Sequence, residues 1–125
     1  MANPNIVNVS AIYGATSYLV PTGTSATAWT ALTPAVGSVN KVGSIVASNV
    51  TSSAANITVS VNSAAAGAGT AYRIAYQISV PPNASLIITD KTTAFYVGEA
   101  QSVVVTSGTT NAIELVASYE TITSP

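Results

Sequence analysis

The sequence predicts an all-β fold, a single-domain antiparallel β-sandwich of about eight or nine strands, either immunoglobulin-like or jelly-roll. Three observations predict it. The β-branched residues Val, Ile and Thr are abundant, whereas Leu, Glu, Lys, Gln and Met are scarce, and β-branched side chains suit a pleated sheet better than a helix. Apolar and polar residues alternate over short segments, which is typical of half-buried strands. Pro, Gly and Asn separate these segments, and a chain of 125 residues fits one domain.

The first third of the chain is less regular than the rest. Strands are predicted at residues 5–13, 16–20 and 27–32. Because their alternation is weak, we expect residues 1–35 to form an irregular N-terminal arm or a set of edge strands. Residues 36–125 are then the β-sandwich domain.

The middle of the chain predicts three strands, at residues 39–50, 56–62 and 71–80. A small-residue run at 63–69 separates the last two and is predicted to be a hairpin loop, because glycine weakens a helix there. In the strand 71–80, alternation predicts that one apolar row faces the core and that the residues between face solvent. This row comprises Tyr72, Ile74, Tyr76, Ile78 and Val80.

Four more segments are predicted at residues 85–89, 94–97, 101–106 and 112–120, which makes ten. Because the short ones need not all form strands, about eight or nine strands are expected. In the last segment, one set of residues is predicted to face the core and the other solvent. The inward set is Ile113, Leu115, Ala117 and Tyr119, and the outward set includes Glu114, Ser118 and Glu120. Three segments are apolar on both faces, at 42–50, 86–88 and 103–105. They are either central strands or strands whose outer face another subunit covers.

The side-chain inventory argues against catalysis. The chain has no His and no Cys, and it carries three basic and four acidic residues, so most groups that move protons or bind metals at neutral pH are missing. Glu114 and Glu120 lie six positions apart on one predicted strand, about 20 Å, which is too far for a glycosidase pair. Asp90 and Lys91 are better explained by a turn. We therefore expect no enzyme activity, no cofactor and no metal site.

Charge and hydropathy also limit the partners. A net charge of −1 gives no basic patch for nucleic acid, and no apolar stretch approaches the roughly 20 residues that a membrane-spanning helix needs. The first residues lack the pattern of a signal peptide, so we expect synthesis in a cytoplasm without a cleaved leader. A neutral surface rich in Ser, Thr, Asn and Gly has little repulsion between copies. This favours a permanent assembly over a free monomer.

Candidate interface residues lie in the N-terminal third, which is apolar and uncharged. Branched apolar residues there could add a strand to a neighbour by edge pairing, and aromatic residues commonly anchor protein contacts. The candidates are Ile6, Val7, Val9, Ile12, Tyr13 and Trp29.

From residue 39 onward the order of features resembles a known family. The segments that carry the resemblance are VNKVGSIVASNV (39–50), NITVSVNS (56–63), TAYRIAYQISVPPNASLIITDKTTAFYVGEAQSVVV (70–105) and NAIELVASYE (111–120). They resemble small β-rich virion structural proteins of tailed bacteriophages, particularly those of cyanobacteria. The N-terminal third does not share this likeness.

The resemblance implies a non-enzymatic component of the virion. Its leading interpretation is a decoration (cement) protein, often a trimer, that binds the outer capsid surface and stabilises contacts between major capsid proteins. A neck or tail component is the alternative within the same class. A host-recognition module that binds glycans through its tyrosines is an alternative of another class.

Overall fold

The computed structural model describes residues 4–125 as two packed antiparallel β-sheets, of five and four strands, and so confirms the predicted all-β sandwich. Two short 3₁₀ helices, Thr30–Leu32 and Ala65–Gly67, accompany the strands. Within residues 4–125, no helix is long and apolar enough to cross a membrane. The strands are β1 Ala11–Leu19, β2 Thr27–Ala28, β3 Ser38–Asn49, β4 Ala55–Asn62, β5 Ala71–Val80, β6 Ser85–Thr89, β7 Phe95–Gly98, β8 Ser102–Ser107 and β9 Ile113–Thr123.

The strand order is that of a jelly roll. The five-stranded sheet runs β1-β9-β3-β6, with β7 also paired to β3, and the four-stranded sheet runs β2-β8-β4-β5. Strand β7 pairs with residues 39–42 of β3, and β6 pairs with residues 45–48. Strands β6 and β7 therefore act as two halves of one strand along one edge of β3. With them counted as one, the chain alternates between sheets as an eight-stranded jelly roll does.

The core lies between the two sheets and is built from branched apolar residues. Val42 and Ile45 of β3 both face it, although they are three positions apart. A register shift between Val42 and Ser44, opposite β9, explains this spacing, because the extra residue of a β-bulge restores the inward direction. The large side chains fully buried in this core are Leu32, Val42, Ile45, Ile57, Val59, Val80, Val97, Val103, Val105, Ile113 and Leu115. Val39 is also fully buried, but it lies outside this cluster.

The N-terminal strands differ from the prediction. A single strand covers residues 11–19 in place of the two predicted at 5–13 and 16–20. Residues 5–8 form a turn in which the Val7 amide donates to the Asn5 side chain at 3.0 Å, and the strand begins after this turn. The strand predicted at 27–32 ends at Ala28, and a 3₁₀ turn follows. Strands β1 and β2 lie at the ends of the two sheets, so this part of the chain belongs to the sandwich.

Strand β5 has the predicted bounds, but most of its predicted inward row is exposed. Val80 is buried as expected, whereas the rest of the predicted inward row is exposed, namely Tyr72, Ile74, Tyr76 and Ile78. Ile78 and Tyr72 are register partners of Ile57 and Val61, so they keep the predicted side, and the two register shifts against β4 affect the residues between them. Each shift changes which side chains face inward, and β5 is also the end strand of its sheet.

Candidate interaction surface

An apolar row crosses the outer face of the five-stranded sheet. The register aligns Tyr18 of β1 with Val116 of β9, Val116 with Val46 of β3, and Val46 with Ile87 of β6. Tyr18 is 75% exposed, Ile87 is 63% exposed and Val116 is 42% exposed, while Val46 is half-buried. Four neighbouring strands span about 14 Å at the usual strand spacing. We call these four residues the apolar row.

Small hydroxyl side chains flank the apolar row on both sides. On one side Thr16, Ser118 and Ser44 lie opposite one another. On the other side Ser48 lies between Ser85 and the exposed Glu114, with 2.8 Å between the two serine hydroxyl oxygens. Such a surface contacts a partner through apolar area and hydrogen bonds, and Glu114 is the charged residue beside the row.

Of the predicted N-terminal candidates on β1, Ile12 lies at the far end of the same face, whereas the adjacent Tyr13 points to the opposite face of the sheet. Ile6, Val7, Ile12 and Tyr13 are exposed, with Val7 at 91%, and Val9 is half-buried. A second row on the outer face begins at Ile12 of β1. It continues to the register partner Ile122 of β9, which in turn pairs with Val39 of β3. These candidates are therefore placed where a partner could reach them.

Residues 4–10 fold back on their own domain. Pro4 is buried, and it lines a cavity of about 220 Å³ together with Ile6, Val39 and Tyr96. The Ser10 hydroxyl donates to the Ser124 carbonyl at 2.9 Å. The described part of this segment thus covers one end of the sheet and does not project as an arm.

Trp29 is not a surface residue, and its prediction as an interface anchor is wrong. Its side chain is 2% exposed and belongs to the core. The indole Nε1–H donates to the Ser17 hydroxyl on β1 at 2.9 Å. Trp is amphipathic, and because its N–H has this hydrogen-bond partner, the ring can be buried without an unsatisfied donor.

The four acidic side chains have separate local environments. Asp90 accepts hydrogen bonds from the amide and the hydroxyl of Thr92, at 3.0 and 2.6 Å, and the hydroxyl bond is the main reason that the pKa of this exposed carboxyl lies below its ordinary value. Glu114 and Glu120 are exposed on β9. Glu99 accepts from the Gly37 amide at 2.7 Å. Residues 4–125 contain no group of three or more His, Cys, Asp or Glu that could hold a metal ion.

Sequence reasoning missed the apolar row, although signals for it were present. Val116 interrupts an otherwise polar outward set on β9, and Val46 and Ile87 lie in segments that are apolar on both faces. The third such segment has a different explanation. Val104 lies on the outer face of the four-stranded sheet, where a Cβ on Gly67 would lie 3.6 Å from it, so the chain's own 63–69 loop covers it.

Comparison with known proteins shows the fold and no family. No protein family model and no curated protein matches the chain. A subunit of the disulfide-linked pili that form Bacillus endospore appendages is similar in structure, with a TM-score of 0.55, 12% identity, and coverage of 92% of this chain and 88% of that one. The pentamer-forming, histone-binding core of Drosophila NLP gives a TM-score of 0.46 at 13% identity, covering 92% of this chain and 98% of that one. The likeness to the pilus subunit, at 12% identity, shows a shared β-sandwich fold.

Proposed function

We propose that the chain is a non-enzymatic structural subunit of a bacteriophage virion, a decoration (cement) protein that binds the outer capsid surface. The observation that supports this best is the apolar row, because exposed apolar residues aligned across a whole sheet face mark protein interaction sites. The resemblance of residues 39–120 to phage virion proteins supports the choice of particle. The partner proposed is the major capsid protein.

The energetics of the row suit a multivalent contact. Complete burial of an Ile side chain is worth about 1.5–3 kcal/mol, and Ile87 is 63% exposed, so covering the rest contributes about 1–2 kcal/mol. Tyr18 is larger and more exposed, and it contributes at least as much. Many copies on one shell gain avidity, so each contact can be weak. A trimer, which the resemblance implies, multiplies the contacts further.

Strand β1 offers a second means of attachment. It ends the five-stranded sheet, so one of its edges is unpaired within residues 4–125. An unpaired edge can accept a strand from a neighbouring protein, and Tyr18 of the apolar row lies on this strand. Edge pairing and burial of the row can therefore occur at one interface.

Binding to particles that lack the protein tests the proposal. Ile87→Ser should weaken binding roughly 5- to 30-fold, as expected for a loss of about 1–2 kcal/mol, with an unchanged unfolding temperature. Val36→Ser is the matched control, because Val36 is also exposed but lies in the turn before β3. Weaker binding by Val7→Ser would indicate that the N-terminal segment also contacts the capsid. Equal binding by the Ile87 and Val36 variants would refute the role of the row.

Electron microscopy of intact virions tests the location. Density for this chain on the outer capsid surface supports a decoration role, whereas density at the neck or tail supports the alternative. Sedimentation of the purified chain measures whether it forms the trimer.

A further inference from the structure

The outer face of the four-stranded sheet holds a polar pocket, on the opposite side of the sandwich from the apolar row. It has a volume of about 230 Å³ and lies where β4, β5 and β8 run side by side. Its wall is formed by Thr24, Asn56, Thr58, Gln77, Thr106 and Gly108. We propose that this pocket binds one neutral sugar ring, either free or as a residue of a glycan.

The side chains in the pocket are neutral, and several of them have donors and acceptors that no other residue in the described part of the chain pairs with. Within residues 4–125, the side chains of Asn56, Gln77, Thr24 and Thr106 make no hydrogen bond to another residue. Each amide offers donors and an acceptor, and each hydroxyl offers both. Sugar hydroxyls also donate and accept, so they can pair with all four side chains.

The lining also excludes other ligand classes. It carries no charged side chain, so nothing there offsets the loss of hydration of a phosphate or carboxylate. The volume of about 230 Å³ lies below the roughly 300 Å³ at which pockets for drug-sized ligands begin. A single neutral ring is the ligand that meets both limits.

The backbone at Gln77, beside the pocket, has an uncommon conformation. Gln77 has φ of 48°, a left-handed conformation that is uncommon for a residue other than glycine. Its amide donates to the Thr58 hydroxyl at 2.9 Å, which holds the bulge of β5 in place against β4. Strained residues of this kind cluster at ligand sites. Opposite, the Gly108 amide donates to the Asn56 carbonyl at 2.9 Å and fixes the other wall.

An NMR titration of the full chain tests the proposal. The probes are methyl glycosides of glucose, galactose, mannose and N-acetylglucosamine, with inorganic phosphate as the charged control. We expect at least one glycoside to shift the amide resonances of Gln77 and Gly108 with millimolar affinity, and phosphate to shift neither. A short oligosaccharide of the best sugar then separates the sources, since tighter binding indicates a glycan and equal binding indicates the free sugar.

Variants identify the pocket as the site. Asn56→Ala and Thr106→Val change outward side chains and should each weaken binding at least fivefold, while Tyr76→Ala should leave it within twofold. Tyr76 is exposed and has Arg73 over its ring at 5.1 Å, so this control asks whether tyrosines bind the sugar instead. The highest glycoside concentration, 50 mM, is on the order of tenfold above the expected dissociation constant. The proposal is overturned if no glycoside shifts these resonances at that concentration, or if Tyr76→Ala alone abolishes binding.

Discussion

The hydrogen bond between Trp29 and Ser17 joins the two sheets near their ends, and it gives a sharp test of the fold. The Trp29 amide donates to Val103 of β8 at 2.7 Å, which attaches its backbone to the four-stranded sheet. Its indole Nε1–H reaches Ser17 on β1, in the five-stranded sheet. Ser17→Ala therefore removes the acceptor and leaves the indole N–H inside the core.

The size of the effect follows from burial. Trp29 is 2% exposed, so its N–H has little access to water after the change, and an unsatisfied buried donor costs about 1–3 kcal/mol. Trp29→Phe removes the donor itself and a part of the ring, at a cost of roughly 1–3 kcal/mol. In the double variant the two losses should overlap by about 1 kcal/mol, because both remove the same bond.

Urea unfolding followed by far-UV circular dichroism measures these differences. A loss of 2 kcal/mol lowers the midpoint by about 1 M urea at a slope typical of small domains. Ser118→Ala, on an exposed position of β9, is the matched control and should stay within about 0.5 kcal/mol. Trp29 is also the single tryptophan, so tryptophan fluorescence reports on this residue alone. Because its side chain is buried, acrylamide should quench that fluorescence weakly. Equal midpoints for the Ser17 and Ser118 variants, or strong quenching, would refute the reasoning.

Three further predictions concern single side chains. Asn49 is buried and donates to the Ser53 and Val80 carbonyls at 2.8 and 2.9 Å, so Asn49→Ala should lower the free energy of unfolding by roughly 2–4 kcal/mol, measured by urea titration. Gly69 has φ of +76°, and a Cβ there would lie 2.8 Å from the Ala64 nitrogen, so Gly69→Ala should cost about 1–3 kcal/mol. Gly23→Ala, with no atom within 4 Å, is its near-neutral control in the same assay. The lowered pKa of Asp90 means that its charge stabilises the fold above the ordinary value of 3.8 and that this contribution disappears as pH falls through the lowered value. The difference in unfolding temperature between wild type and Asp90→Asn should therefore be present at pH 6 and vanish towards pH 2, and a constant difference would contradict this.

The sequence predicts where strands lie better than which face each strand presents. The bounds of β5 and β6 match the prediction, because turns at both ends limit each of them. The faces of β5 match at Tyr72, Ile78 and Val80 but not between Tyr72 and Ile78, since two register shifts change the direction of side chains there. The hydrogen bond from the Gln77 amide to Thr58, a residue on a neighbouring strand, holds one of these bulges, and local alternation carries no information about it.

The candidate surface was harder to predict than the fold, because it depends on register. Tyr18, Val46, Ile87 and Val116 lie on four different strands, and they become neighbours when β9 lies between β1 and β3. Pairing partners far apart in sequence leave no periodic signal. Trp29 shows the opposite case, in which a residue type common at interfaces is buried by an internal partner.

The two proposed sites are compatible because they lie on opposite faces of the sandwich. The apolar row faces outward from the five-stranded sheet and the polar pocket from the four-stranded sheet, and packed sheets lie about 10 Å apart. A chain docked by the apolar row would therefore present the pocket to solution. If both proposals hold, particles coated with this protein should bind the same sugar as the free chain, with higher avidity from the many copies. Loss of sugar binding on docking would mean that the capsid covers the four-stranded sheet, and the apolar row would then not be the docking surface.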